Sequence, residues 1–148
     1  MELNPLNDLY FMKEALKEAQ KAFDLNEVPV GCVIVCENKI IARSHNQTYR
    51  LNDATAHAEV IAITAASGHL GSKYLSDCTM YVTLEPCIMC AGAAYWAQFK
   101  KIVFGARDLN RGYLSLPKSI LHPKTEVVRN ILSKQSTKLL HDFFKNKR

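Results

Sequence analysis

The sequence predicts an α/β fold in which helices cover both faces of a sheet. The chain has 148 residues, of which 48% are hydrophobic and 22% are charged. These values are typical of one globular domain with a real core, here expected to span residues 1–148. Short apolar segments alternate along the chain with amphipathic or alanine-rich ones. Alternating strands and helices place helices on both sides of one sheet.

The chain is predicted to begin with a helix and a β-hairpin. Residues 6–23 carry apolar side chains at three- and four-residue spacing, which predicts an amphipathic helix starting at Asn4-Pro5. Residues 28–36 form a continuous apolar run that indicates a strand buried on both faces. Glu37-Asn38 then predicts a turn into a second strand over residues 39–43.

The next elements alternate regularly. Residues 54–66 are alanine-rich and indicate a helix, with Asp53 as its N-cap and Gly68 at its end. The elements expected after it are a strand over 79–84, a helix from Pro86 to about Gln98, a strand over 101–105, a loop with one helical turn over 108–123, a short strand over 125–129, and a helix from Ser133 to about Lys145.

Two short motifs carry candidate chemistry, His57-Ala58-Glu59 and Pro86-Cys87-Ile88-Met89-Cys90. Between Glu59 and Pro86 lie 26 residues, enough for one helix, a loop and one strand. Both motifs are therefore expected at helix N-termini on the same side of the sheet. There, Cys87 and Cys90 project to one side, and the positive helix end favours the thiolate form that binds metal.

The metal assignment depends on His57, because an isolated Cys-x-x-Cys also fits a redox pair or a packed pair. With His57 the set becomes His/Cys/Cys, which suits zinc and leaves a fourth position for water. A closed structural site would need one more ligand, and the candidates distant in sequence are His45, His69, His122 and Cys78. The other cysteines, Cys32, Cys36 and Cys78, are expected to serve as small packing residues.

Glu59 lies two residues beyond the candidate ligand His57, within the apolar stretch 54–66. A buried carboxylate without a partner is costly, and a structural zinc site has no use for one. A catalytic site does, because a carboxylate there takes a proton from an activated water and returns it elsewhere. The alternative is an exposed helix position for Glu59.

His-x-Glu followed by Pro-Cys-x-x-Cys resembles the signature of the zinc-dependent nucleobase deaminases. Several blocks resemble in particular the bacterial tRNA adenosine deaminases of that family: Asn26-Glu-Val-Pro-Val-Gly, Asp53-Ala-Thr-Ala-His-Ala-Glu, Tyr81-Val-Thr-Leu-Glu-Pro-Cys-Ile-Met-Cys, Val103-Phe-Gly-Ala-Arg-Asp and Leu140-His-Asp-Phe-Phe-Lys. The resemblance implies a three-layer α/β/α cytidine-deaminase-like fold with a mixed five-stranded sheet. It also implies a homodimer that converts adenosine to inosine at the wobble position of a tRNA anticodon loop.

The resemblance further implies roles for individual residues. One Zn²⁺ per subunit would be held by His57, Cys87 and Cys90, and Glu59 would be the catalytic proton shuttle. The implied substrate-binding residues are Val30, Asn46, Ala58, Arg107, Asp108, Phe143 and Phe144. From the residues alone, Asn46 also reads as a turn residue, Val30 as a core strand residue, and the two phenylalanines as core anchors of a helix.

Two segments depart from the resemblance. Leu109-Asn-Arg-Gly-Tyr-Leu-Ser-Leu replaces a small Gly/Ala-rich loop, and His122-Pro-Lys-Thr-Glu-Val replaces a longer segment. Ala94-Tyr-Trp-Ala resembles guanine deaminase, so a deaminase of a free purine base or nucleoside is one alternative. A non-catalytic RNA-binding module with a structural zinc is another.

Charge is distributed unevenly along the chain. Residues 1–98 hold 7 basic and 11 acidic residues, whereas residues 99–148 hold 12 basic and 3 acidic ones. The basic third suits a polyanion such as RNA, or it forms a solvated surface. The start lacks the basic-then-apolar order of a signal peptide, and no apolar run is long enough for a membrane span. We therefore expect a cytoplasmic protein without membrane contact.

Overall fold

A computed structural model describes residues 6–147 of the chain. The helices and strands follow one another in the predicted order. In this range the elements are α1 (Asp8–Asp24), β1 (Gly31–Cys36), β2 (Lys39–His45), α2 (Ala58–Leu70), β3 (Cys78–Leu84), α3 (Ile88–Ala97), β4 (Lys101–Ala106), a 3-10 turn (Tyr113–Ser115), β5 (Glu126–Val128) and α4 (Ser133–Lys145).

The strands form one mixed sheet in the order β2-β1-β3-β4-β5. Strand β1 pairs antiparallel with both β2 and β3, whereas β3 pairs parallel with β4, and β4 with β5. Helix α3 provides the crossover that the parallel pair β3–β4 requires. The predicted five-stranded mixed sheet is confirmed.

Side chains of β1 alternate between two cores, which shows that helices cover both faces of the sheet. Cys32 and Ile34 pack in a cluster with the alanines of α2 and α3. Val33 and Val35 point the other way and pack with Phe11 and other residues of α1. Helix α4 lies on the α1 side, where it contacts α1 and β4. The three-layer α/β/α arrangement is therefore confirmed.

Both predicted boundaries of α2 are wrong. The helix begins after its N-cap His57, because the Asp53 carboxylate instead accepts hydrogen bonds from the backbone N–H (2.8 Å) and hydroxyl (2.7 Å) of Thr55 in a tight turn. At the other end, α2 continues through Gly68 and stops at Gly71, which adopts the left-handed conformation with φ 63°. The late start places His57 at the helix N-terminus.

Small shifts affect two other helix starts. Asn7 caps α1 by accepting a hydrogen bond from the Tyr10 N–H at 2.9 Å, and the predicted start at Asn4-Pro5 lies outside the described residues. Helix α3 begins at Ile88 with Cys87 as its N-cap, two residues later than predicted. None of the helices within residues 6–147 combines the length and the apolar character that a membrane-spanning helix needs.

Helix α1 approaches β1 most closely at Gly31. A Cβ atom added there would lie 2.0 Å from the Ala15 carbonyl oxygen and 2.4 Å from the Ala19 nitrogen. Both neighbours are backbone atoms of α1, so no side-chain rotation relieves the overlap. Only glycine allows the helix to lie this close to the sheet.

We expect Gly31→Ala to lower the free energy of unfolding by about 2–3 kcal/mol, because α1 must move away from the sheet. Urea unfolding at fixed zinc and protein concentrations measures the change. Gly68→Ala is the matched control, since open space surrounds Gly68 and the same substitution within α2 should stabilise by about 0.5–1 kcal/mol. Equal effects of the two substitutions would contradict this account of helix packing.

Candidate active site

The N-termini of α2 and α3 meet on one side of the sheet. His57 caps α2 and Cys87 caps α3, while Cys90 lies in the first turn of α3. The His57 Nδ1 atom lies 3.6 Å from the Cys87 sulfur and 3.5 Å from the Cys90 sulfur. Sequence spacing alone therefore identified three residues that the fold brings together.

The geometry of this cluster suits zinc. One ligand atom from each of the three residues lies within 4.8 Å of the others. Tetrahedral zinc, with bonds of about 2.0–2.3 Å, separates its ligand atoms by about 3.5 Å, close to the distances found here. Among residues 6–147 no other histidine, cysteine or acid joins this group, so His45, His69, His122 and Cys78 do not close the site.

The surroundings favour the charged form of the Cys87 sulfur. A hydrogen bond from the Cys90 thiol, with further contributions from His57 and the Cys90 N–H, lowers the pKa of Cys87 to about 4. The hydrogen bond between the His57 ring and the Cys87 sulfur raises the pKa of His57. The helix N-terminus acts in the same direction, because its N–H groups point towards the sulfur. A thiolate at Cys87 is the form that a metal ion requires.

Glu59 is buried beside the cluster, with 4% of its surface exposed. Burial is the main cause that raises the pKa of Glu59 to about 7, and the charge of Cys87 adds to it. The alternative of an exposed position for Glu59 is therefore wrong. A carboxyl group whose pKa lies close to neutral pH can both take up and release a proton.

The backbone between His57 and Glu59 is held by two side chains at the end of β2. The Asn46 side-chain oxygen accepts a hydrogen bond from the Ala58 N–H at 2.8 Å. The Ser44 hydroxyl donates to the Ala58 carbonyl at 2.5 Å. Sequence reasoning missed Ser44, although its two-residue spacing from Asn46 puts both side chains on one face of the strand.

Val30 and Ala58 lie in the core on this side of the sheet. They are 4% and 0% exposed and belong to the same hydrophobic cluster. Val30 is thus a core residue, as expected, but it precedes β1, which begins at Gly31 and not at residue 28 as predicted.

Arg107 and Asp108 begin the loop that follows β4, and this loop lies against the cysteine motif. Gly112 pairs with Cys87 in an isolated β-bridge, and the Tyr113 N–H donates to the Pro86 carbonyl at 3.0 Å. The single helical turn expected in this segment is present at Tyr113–Ser115. The buried Glu85 holds this loop, a role that no local sequence pattern indicates because its partners lie 22 to 29 residues away.

The phenylalanine pair of α4 separates into two environments. Phe143 is 5% exposed, with its ring 6.1 Å from that of Phe23 in α1, which favours the core-anchor interpretation. Phe144 is 55% exposed and lines a groove of ≈ 500 Å³ together with Arg107, His141 and Lys145. An aromatic ring among basic groups suits a nucleic acid strand.

Helix α3 exposes a group of large apolar side chains next to the cysteine cluster. Their exposed fractions are 49% for Ile88, 38% for Met89, 39% for Tyr95 and 73% for Trp96. By contrast, Phe99, which follows α3, is only 1% exposed. This apolar surface of α3 is therefore made by the first and third turns of the helix.

Comparison with known proteins places these features in one family. Residues 5–106 match the family described as the cytidine and deoxycytidylate deaminase zinc-binding region. The chain is 43% identical over 143 residues to the tRNA-specific adenosine deaminase of Aquifex aeolicus, covering 94% of this chain and 95% of the relative.

Two solved structures refine the comparison. One, from a study of A-to-I editing by tRNA:A34 deaminases, matches with a TM-score of 0.81 at 39% identity over 88% of this chain and 99% of that chain. The guanine deaminase of Bacillus subtilis matches with a TM-score of 0.66 at 42% identity, over 68% of this chain and 65% of its own. The tRNA deaminase structure thus matches over more of both chains.

Proposed function

Because the chain belongs to the family of cytidine and deoxycytidylate deaminases, we propose that it converts adenosine 34, the wobble base of a tRNA anticodon, to inosine. Family membership makes it a zinc-dependent hydrolytic deaminase. The substrate proposal is carried by similarity to a tRNA-specific adenosine deaminase over 94% of the chain. The buried Glu59, and a cluster that has three candidate ligands among the described residues, support catalysis over a non-catalytic zinc module.

The proposed reaction assigns a separate task to each residue of the cluster. His57, Cys87 and Cys90 would hold the zinc ion, which lowers the pKa of a water molecule to about 7 when bound in such a site. The Glu59 carboxylate accepts a proton from the attacking water and delivers it to the ring nitrogen next to C6. The hydroxide that remains bonds to C6. Glu59 then removes the proton of this new hydroxyl group and passes it to the amino group, so that the C6–N bond breaks, a C6 carbonyl forms and ammonia leaves.

Substrate positioning is proposed for residues around the cluster. The Asn46 side-chain oxygen accepts the hydrogen bond from the Ala58 N–H. The side-chain NH2 group of Asn46 is therefore the part left to hydrogen-bond a flipped adenine. Val30 and Ala58 would form the apolar wall of the base pocket. Bases of an anticodon loop are partly unstacked already, so extruding one costs less than it would from a duplex.

RNA contacts are proposed for the loop after β4 and for the groove beside α4. Arg107 and Lys145 would contact phosphates, Asp108 would shape the loop, and Phe144 would stack on a base. The 12 basic residues among residues 99–148 favour the same partner. A protein that acts on tRNA is expected in the cytoplasm.

The proposed activity is tested by two substrate arms. Zinc-loaded protein is incubated with an arginine-type tRNA that carries adenosine at position 34, and separately with free guanine, adenine and cytidine. We expect inosine at the wobble position, detected as an A-to-G change on reverse transcription, and no ammonia from the free bases or the nucleoside. Ammonia from guanine with unmodified tRNA would instead establish the guanine deaminase alternative.

Glu59→Ala separates the proton shuttle from metal binding. We expect its turnover to fall by at least about 100-fold, because general acid–base catalysis contributes that much. Zinc content, measured by elemental analysis, should stay at one ion per chain. Cys90→Ser is the comparison variant and should lose both zinc and activity. Normal turnover by Glu59→Ala would exclude the assigned role.

Phe143→Ala should affect protein stability, whereas Phe144→Ala should affect binding of the tRNA substrate. Phe143 is in the core, so its truncation should lower the free energy of unfolding by about 3–4 kcal/mol. Phe144 is exposed, so its truncation should leave stability within about 0.5 kcal/mol and raise KM for tRNA about tenfold through lost stacking. Chemical unfolding and steady-state kinetics measure the two effects. An unchanged KM in Phe144→Ala would contradict the RNA-binding role of the groove.

We also propose a homodimer in which the apolar surface of α3 contacts a second copy of the chain. Its four exposed side chains, Ile88, Met89, Tyr95 and Trp96, are of the apolar and aromatic types enriched in interfaces. Because Cys87 is the N-cap of α3, a partner bound there would border the mouth of the active site.

Trp96→Glu tests this dimer. Light scattering after gel filtration should give twice the chain mass of 16.7 kDa for the original protein and the single mass for the variant. The control is Tyr74→Glu, which puts the same charge at an exposed aromatic position outside α3 and should leave the dimer intact. A monomeric original protein would exclude the dimer.

A further inference from the structure

A buried carboxylate, Glu85, connects the end of β3 with the loop after β4. Glu85 is 1% exposed and lies between the last residue of β3 and Pro86 of the cysteine motif. One of its oxygens accepts hydrogen bonds from Arg107 Nε at 2.8 Å and from the Asp108 N–H at 3.0 Å. The other accepts from the Leu114 N–H at 2.9 Å. A single side chain thus fixes both ends of the segment Arg107–Leu114, here called the 107–114 loop.

The 107–114 loop packs so tightly around Glu85 that position 112 of the loop requires glycine. A Cβ atom at Gly112 would lie 2.0 Å from the second carboxylate oxygen of Glu85. Gly112 also forms the β-bridge with Cys87. The loop is therefore held from the inside by Glu85 and is attached to the start of α3, beside the candidate zinc ligands.

The same arrangement gives the loop an ordered tip. The Asp108 carboxylate accepts hydrogen bonds from the Asn110 N–H at 3.1 Å and from the Arg111 N–H at 3.0 Å. Leu109 is 77% exposed, and Arg111 is exposed beside it. An apolar and a cationic side chain are thus presented to solvent on a rigid turn next to the active site.

We propose that Glu85 is a positioning residue for the RNA substrate, because it holds the 107–114 loop in the shape in which Leu109 and Arg111 contact the anticodon loop. This inference rests on the proposed function and assigns RNA binding to Leu109 and Arg111, which lie in one of the two segments that depart from the resemblance. Glu85 would act on substrate binding rather than on proton transfer, since N–H donors already occupy both of its oxygens.

Glu85→Gln is the most direct test. Glutamine keeps the size of the side chain but turns one acceptor into a donor, which then faces an N–H group, and it removes the ion pair with Arg107. We expect KM for the tRNA substrate to rise about tenfold and kcat to change less than about twofold, because binding is lost without loss of transition-state chemistry. Zinc content should remain one ion per chain.

The matched control is Glu37→Gln. It removes the same negative charge at the exposed turn between β1 and β2, so it measures the general gain in RNA attraction when one acid is lost. Gly112→Ala approaches the same contact from the loop side and should raise KM similarly. In the double variant Glu85→Gln/Gly112→Ala the two effects should not add, because both remove one shared contact.

Hydrogen exchange provides a readout that does not depend on RNA. In Glu85→Gln the amides of Asp108 and Leu114 should exchange faster, while those of α2 should be unchanged. Failure of the original protein to form inosine would overturn the proposed function. Inosine formation with unchanged KM in Glu85→Gln would overturn this inference alone. A fall in kcat together with zinc loss would also overturn it, since Glu85 would then act through Cys87.

Discussion

The meeting of two helix N-termini is the constraint on which the site depends. His57 and Cys87 are both N-cap residues, and the Nδ1 and sulfur atoms of this pair lie 3.6 Å apart. Free N–H groups at each helix start favour thiolate and offset part of the cost of burying charge. Hydrogen bonds from Ser44 and Asn46 to Ala58 fix the start of α2. A shift of one residue there would turn the imidazole away from the sulfurs.

Three buried glutamates near the site show how environment assigns a different task to the same side chain. Glu27 accepts hydrogen bonds from the Tyr49 and Arg50 N–H groups at 3.1 and 2.8 Å and holds the loop that follows Asn46. Glu85 holds the 107–114 loop in the same way. At Glu59, burial raises the pKa to about 7, and the charge of Cys87 adds to this rise. Only a carboxylate near its titration point is suited to exchanging protons during turnover.

The sequence predictions are accurate where a feature depends on neighbouring residues, and they fail where it depends on residues distant in the sequence. Helix α4 was predicted with its observed bounds, because its amphipathic pattern is local. The start of α2 was misplaced, because the Asp53 carboxylate bonds within its own turn. The role of Glu85 depends on partners 22 to 29 residues away, so no local pattern reveals it. Ser44 could have been grouped with Asn46 from their two-residue spacing, but its partner Ala58 lies 14 residues away.

Arg107 connects the two surfaces proposed to contact RNA. Its Nε donates to Glu85, and its side chain also lines the groove with Phe144 and Lys145. A guanidinium has five N–H donors, so pairing through Nε leaves the terminal nitrogens available for a phosphate. Two other cations of the basic third are already paired, since Lys101 pairs with Asp8 and Lys138 with Asp142. Net charge therefore overstates the surface that attracts RNA. The 107–114 loop and the groove form one continuous surface joined at Arg107, so movement of the loop would also displace the phosphate contact in the groove.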